Sequence, residues 1–183
     1  MRRLILLTAA ALACAAAAPA PKAPPKTAPA KAAPKTPAKP AIAYDAQNPQ
    51  SLTTLLNDLG AKTTPARKDE DSVFVAVTSA AANFSLQFAG CDAQGRACKA
   101  ALYDSLMGAG APTLSQINGF NQTSVFCRVY QDKTGKPHAI YAAVLVKSDT
   151  RESAMTHLAA WQGCLGEARD FLRDPVAYLA NAA

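Results

Sequence analysis

The chain has 183 residues, half of them hydrophobic and 17% charged, with a net charge of +6. That suits one folded domain with additions, and the charge is unevenly placed. Seven of the 19 bases lie in residues 1–40, which hold no acid, and the remainder carries 12 bases against 13 acids. The folded part therefore lacks the excess of basic charge that a general nucleic-acid binder needs to neutralise phosphates, and no nucleic-acid partner is expected.

Met1-Arg2-Arg3 is a short positive start, followed by an uncharged, mostly apolar run from Leu4 to Ala18. The run is shorter than the roughly 20 residues of a membrane-crossing helix. Small residues crowd its end, as a signal-peptidase site requires. Residues 1–17 are expected to be an export signal that delivers the chain to the periplasm or the medium. Ala11-Leu12-Ala13-Cys14 also resembles a weak lipobox, so Cys14 is either removed with the signal or kept as a lipid-bearing anchor in the outer membrane, facing the periplasm. Residues 18–43 are Pro, Ala, Lys and Thr with little else, and hold eight of the 13 prolines. Such a run buries too little apolar surface to fold. Its prolines favour extended polyproline II, which at about 3.1 Å per residue gives a tether on the order of 75 Å. The tether reads either as a spacer whose lysines touch membrane or cell wall, or as a solvated leader without a partner.

Residues 44–183 are of single-domain size. Asn48-Pro49 is a good helix start, with Asn as N-cap and Pro at the first helical position. Leu52, Leu55, Leu56 and Leu59 then fall on one stripe, and Gly60 is placed to end the helix. Val73, Val75 and Val77 alternate with Phe74 and Ala76, as a strand does. Phe84, Leu86 and Phe88 alternate likewise. The turn signal Asp92-Ala93-Gln94-Gly95 predicts a hairpin of residues 83–91 and 97–105. Thr113 and Gln116 form a capping-box pattern for a short helix carrying Leu114, Ile117 and Phe120. Strands at 125–131 and 138–147 flank the turn Asp132-Lys133-Thr134-Gly135. The last helix is expected to be capped by Asp149 with Glu152, to show Ala154, Leu158, Trp161, Leu165, Ala168 and Leu172 on one face, and to stop at Pro175. The order is α-β-β-β-α-β-β-α. The fold class is α+β, a single twisted antiparallel sheet with helices on one face.

Without Cys14, four cysteines remain, an even number in an oxidising compartment. Cys91 and Cys98 flank the predicted hairpin loop and are expected to bond. Cys127 and Cys164 either bond, stapling the last helix to the sheet, or stay as buried thiols. Six residues separate Cys91 from Cys98, wider than a zinc knuckle, and no histidine pair accompanies them. There is no C-x-x-C redox motif. No metal and no cofactor are expected.

The string Ile117-Asn118-Gly119-Phe120-Asn121, followed by Val125-Phe126-Cys127-Arg128-Val129-Tyr130 and the 132–135 turn, resembles the YbjN-like family. That family shows an Ile-Asn-x-Trp-Asn helix leading into a Phe-x-x-x-Tyr strand. The Phe84–Cys98 hairpin and the Trp161…Phe171 helix are similar to it too, so the resemblance spans residues 50–173. It implies the fold of type III secretion chaperones, a role in sensory-transduction regulation, and no established catalytic residues. The chain departs from the pattern in having Phe120 at the usual Trp, Ala-rich strands and an export signal.

Asn118 and Asn121 share a helix face and read as amide caps for the helix end and the next strand. His157 with Ser153 one turn earlier has no orienting acid or G-x-S-x-G motif beside it, and reads as a half-buried histidine near Trp161. His138 reads as solvated. The leading expectation is a non-enzymatic, chaperone-like or regulatory adaptor that binds an unidentified envelope protein on the free sheet face. The alternatives are a small periplasmic enzyme or thiol redox protein, and a cell-wall-associated structural protein. If Cys127 lies under the last helix, the period of two puts Phe126, Arg128 and Tyr130 on the free face as partner contacts.

Overall fold

The computed structural model describes residues 43–182 apart from Ala109. The predicted signal (1–17), Cys14 and nearly all of the tether lie outside the described residues. The elements run α1 (Pro49–Asp58), β1 (Lys62–Thr63), β2 (Arg67–Asp69), β3 (Ser72–Thr78), β4 (Asn83–Ala89), β5 (Ala100–Leu106), α2 (Leu114–Thr123), β6 (Arg128–Gln131), β7 (Pro137–Val144), α3 (Arg151–Arg173) and α4 (Pro175–Ala182). The seven strands form one antiparallel sheet in the order β1-β3-β4-β5-β7-β6, with β2 also paired to β3. The helices lie on one side of it. This is the expected α+β class. The additions are the two short strands β1 and β2 and the terminal helix α4.

The local chemistry of the ends explains the element boundaries. Asn48 caps α1, its side chain accepting from the Gln50 N–H at 3.1 Å. The helix closes when the Ala61 N–H bonds back to Leu56 O, with Gly60 at φ +86°, a left-handed turn that suits glycine. Leu52, Leu55 and Leu56 are buried, whereas Leu59 at the end of the stripe is 52% exposed. At α2 the capping box of Thr113 and Gln116 is complete in both directions. At α3 the cap falls one residue later than expected, on Thr150 with Ser153 closing the box. α3 stops just before Pro175, as expected, and a further helix follows it. The α3 C-cap is Asp174, and Pro175 takes the first position of α4, where its missing N–H leaves no bond unmade.

The inner face of the sheet carries Val73, Val75, Val77, Leu86, Phe88, Tyr103 and Tyr141, all buried under α1 and α3. Trp161 of α3 seals the middle, with its ring 5.6 Å from Phe84 and 5.8 Å from Tyr103. A second aromatic group joins three helices: Phe120 of α2 lies 4.7 Å from Phe171 of α3 and 5.6 Å from Tyr178 of α4. Burying each such side chain contributes about 1.5–3 kcal/mol, so α4 extends the core rather than trailing from it. Both cysteine pairs are bonded. Cys91–Cys98 closes the β4–β5 connection, and Cys127–Cys164 ties the residue before β6 to α3.

Candidate functional site

Among the described residues, no helix lies over the opposite face of the sheet. Its residues follow from the register. Val144 stands beside Ala100. Ala142, Leu102, Gln87 and Phe74 form the next row. Arg128, Ile140, Asp104 and Ser85 form the third, and Tyr130, His138 and Leu106 the fourth. The face is thus divided. One part is an apolar strip of Val144, Ala142, Leu102 and Ile140, and the other is a polar corner of Asp104, Tyr130, His138 and Arg128. Val144 is 74% exposed and Leu106 54%. Within the strip Val144 and Ala142 are exposed and Leu102 and Ile140 half-buried, a contiguous apolar patch of the kind that marks interaction surfaces.

The polar corner is a connected array. The Tyr130 hydroxyl donates to Asp104 Oδ2 at 2.7 Å, and His138 Nδ1 meets Asp104 Oδ1 at 2.9 Å. The Tyr130 and His138 rings stack at 4.8 Å. His138 Nε2 lies 3.7 Å from Asp132 Oδ2, within ion-pair range. Burial pushes the Tyr130 phenol up to about 12, helped by its hydrogen bond to Asp104 and by the charges of Asp104 and Asp132. Tyr130 is therefore a neutral donor. Asp132 is held down at about 2, first by the Thr134 hydroxyl and then by the Lys136 N–H, with smaller help from the Thr134 N–H and His138. Asp132 Oδ1 is the hub of its own turn, accepting from both Thr134 groups at 2.7 Å and from the Lys136 N–H at 3.0 Å.

The three residues expected to share the free face do not stay together. Arg128 and Tyr130 are on it. Arg128 Nη1 donates back to Ser124 O and Cys127 O, which ties the guanidinium head to the bend before β6. Phe126 lies on the helix side. Its ring is 44% exposed, stands edge-on to the inner-face Tyr141 at 6.3 Å, and flanks Gly163 of α3. The physical reason is that β6 begins only at Arg128. Residues 125 and 126 form a bend, closed by the Ser124 hydroxyl accepting from the Cys127 N–H, and the alternation does not extend back through it.

Both margins of the sheet carry features that discourage an added strand. At β6, the Asn121 side chain occupies the outward backbone groups of Val129: Nδ2 donates to its carbonyl at 3.0 Å and Oδ1 accepts from its N–H at 2.9 Å. On the other margin β2 reads Arg67-Lys68-Asp69, all exposed. Charge along an edge discourages pairing with another chain.

His157 does not form a catalytic pair with Ser153. Its Nδ1 is hydrogen-bonded to the Tyr141 hydroxyl at 2.7 Å, and Ser153 is committed to the α3 capping box. A second concavity, a groove of about 390 Å³, lies between the end of α1, the β3–β4 turn and α3, lined by Leu56, Leu59, Ala81, Phe84, Met155 and Trp161. Among the described residues no group of His, Cys, Asp and Glu is placed to hold a metal ion, and no helix is long and apolar enough to cross a membrane. Two disulfides fit a compartment outside the reducing cytosol. Comparison of the chain with protein families, with curated proteins and with solved structures finds no match.

Proposed function

We propose that the chain is an exported, disulfide-braced, non-enzymatic adaptor domain that binds another protein of the bacterial envelope on its bare sheet face. One observation carries this reading: the face keeps an apolar strip solvent-accessible while both sheet margins carry features that discourage strand pairing. Docking by strand addition is therefore disfavoured, and docking across the face is left. The partner this surface fits is an amphipathic helix. Its apolar side chains would cover Leu102, Ile140, Ala142 and Val144, and a hydrogen-bond donor at one end would meet the carboxylates of Asp104 and Asp132. The YbjN-like resemblance supports the same role through the Ile117–Asn121 and Tyr130 motif. The signal and tether read from the sequence, together with the two disulfides, support delivery to the periplasm or the medium.

The test is site-specific photo-crosslinking in cells, with the crosslinker at Val144 or Leu106 on the face and at Val176 on α4, followed by mass spectrometry. The expected result is one protein captured from the two face positions, absent from Val176, and lost when Ala142→Glu is introduced. Equal capture from Val176, or none from the face, overturns the reading.

A further inference from the structure

We propose that His138 is a pH-operated clasp that ties the β6–β7 turn to β5 at the polar corner of the bare face. The groups that face its ring are Asp104 from β5, Tyr130 from β6 and Asp132 from the turn. Both ring nitrogens look at carboxylates, Nδ1 at Asp104 (2.9 Å) and Nε2 at Asp132 (3.7 Å). A neutral imidazole has one N–H and one lone pair. If it donates to Asp104, it turns a lone pair towards Asp132. The imidazolium has an N–H on both nitrogens, hydrogen-bonds Asp104 and is attracted as an ion pair to Asp132. Imidazoles change between these forms in the interval of about pH 5 to 8.

The neighbours do not blur the change. Tyr130 stays a neutral donor through that interval and holds the other oxygen of Asp104. Asp132 stays ionised through it. The proton on His138 is the variable, and its effect is local: the protonated ring of β7 is attracted to both β5 and the turn and so links them, whereas the neutral ring has an N–H for one of the two only. This holds whether or not the face binds another protein.

The test is an NMR titration of the full chain from pH 5 to 8, following the His138 ring nitrogens and the amides of Thr134 and Lys136. The turn amides are expected to shift with the same midpoint as the His138 ring. Asp132→Asn is expected to leave the ring titrating while the turn amides no longer follow it. His138→Gln, with an otherwise unchanged amide spectrum, is expected to abolish the turn's shift. Turn amides that stay flat while His138 titrates in the native chain overturn the proposal. So does a turn transition that survives in His138→Gln. If His138→Gln does not fold, the Asp132→Asn arm decides by itself.

Discussion

Asn121 and Val129 are paired through both atoms of the asparagine amide, as one residue of a neighbouring strand would pair. The side chain reaches from α2 to the outer edge of β6 and satisfies an N–H and a carbonyl that would otherwise be open to another chain. Asn121→Ala leaves two edge groups without their partners. The expected cost is on the order of 2 kcal/mol, from two hydrogen bonds of about 1 kcal/mol each. The expected accompaniment is concentration-dependent association through β6. Urea unfolding measures the first and sedimentation velocity the second. Full stability with no association would mean that the amide pairing does not close this edge.

That pairing was partly legible in the sequence. Asn121 at the end of a capped helix, just before a β-type run, reads as an amide that caps the next strand, and it does. Thr113 and Gln116 signal their box because a capping box is local. Distance along the chain accounts for part of the rest. His138 after Lys136-Pro137 reads as solvated, because its main partner Asp104 is 34 residues away and nothing local announces the β5–β7 register. Phe126 reads as a strand residue because Val125 to Tyr130 is continuously β-prone. The bend is set by Ser124, whose hydroxyl bonds the Cys127 N–H, and by the disulfide from Cys127 to α3. Pro175 stops α3 as its sequence signal says; what the sequence does not announce is that it also starts α4, held by the packing of Tyr178 on Phe120 and Phe171.

The two disulfides constrain the unfolded chain unequally. Cys91 and Cys98 are seven residues apart, Cys127 and Cys164 thirty-seven. Loop-closure entropy gives about 2.5 kcal/mol for the shorter loop and about 4 kcal/mol for the longer. Cys127→Ala with Cys164→Ala is therefore expected to lower stability more than Cys91→Ala with Cys98→Ala. The longer link also holds α3 against the residue that orients β6, so its loss is expected to loosen the Arg128–Gln131 strand. Denaturant midpoints of the two double variants, with hydrogen exchange at Val129, check both statements. Equal losses would show that strain or residual structure, rather than loop length, sets the contributions.

Asp132 gives the turn an acid limit. Its carboxyl is held at about 2, below its ordinary 3.8. A carboxylate whose value is lower in the folded chain stabilises the fold while it is ionised. Its contribution is therefore complete above about pH 4 and fades as the pH falls through 2. Asp132→Asn removes the ionisable group. The gap in urea midpoint between the native chain and this variant is expected to be present at pH 6, to narrow below pH 4 and to close near pH 2. A gap independent of pH would mean that the asparagine loses turn geometry and not charge.

Phe120 tests whether α4 belongs to the core. The resemblance places a tryptophan at this position, and the chain has the smaller ring. Phe120 is fully buried, with Phe171 at 4.7 Å on one side and Tyr178 of α4 at 5.6 Å on another. Leu179 also sits over the adjacent Gly119, where an added Cβ would meet it at 3.1 Å. The space a larger ring would take is occupied by the terminal helix. Phe120→Trp is therefore an overpacking change, expected to cost about 1–3 kcal/mol. The same substitution in a chain ending at Asp174 is expected to cost less, because the ring then has the place that Tyr178 leaves. Thermal unfolding of the four chains forms a double-mutant cycle with a coupling term between Phe120 and α4. A coupling near zero would mean that Tyr178 and Leu179 do not set the size of the residue at 120.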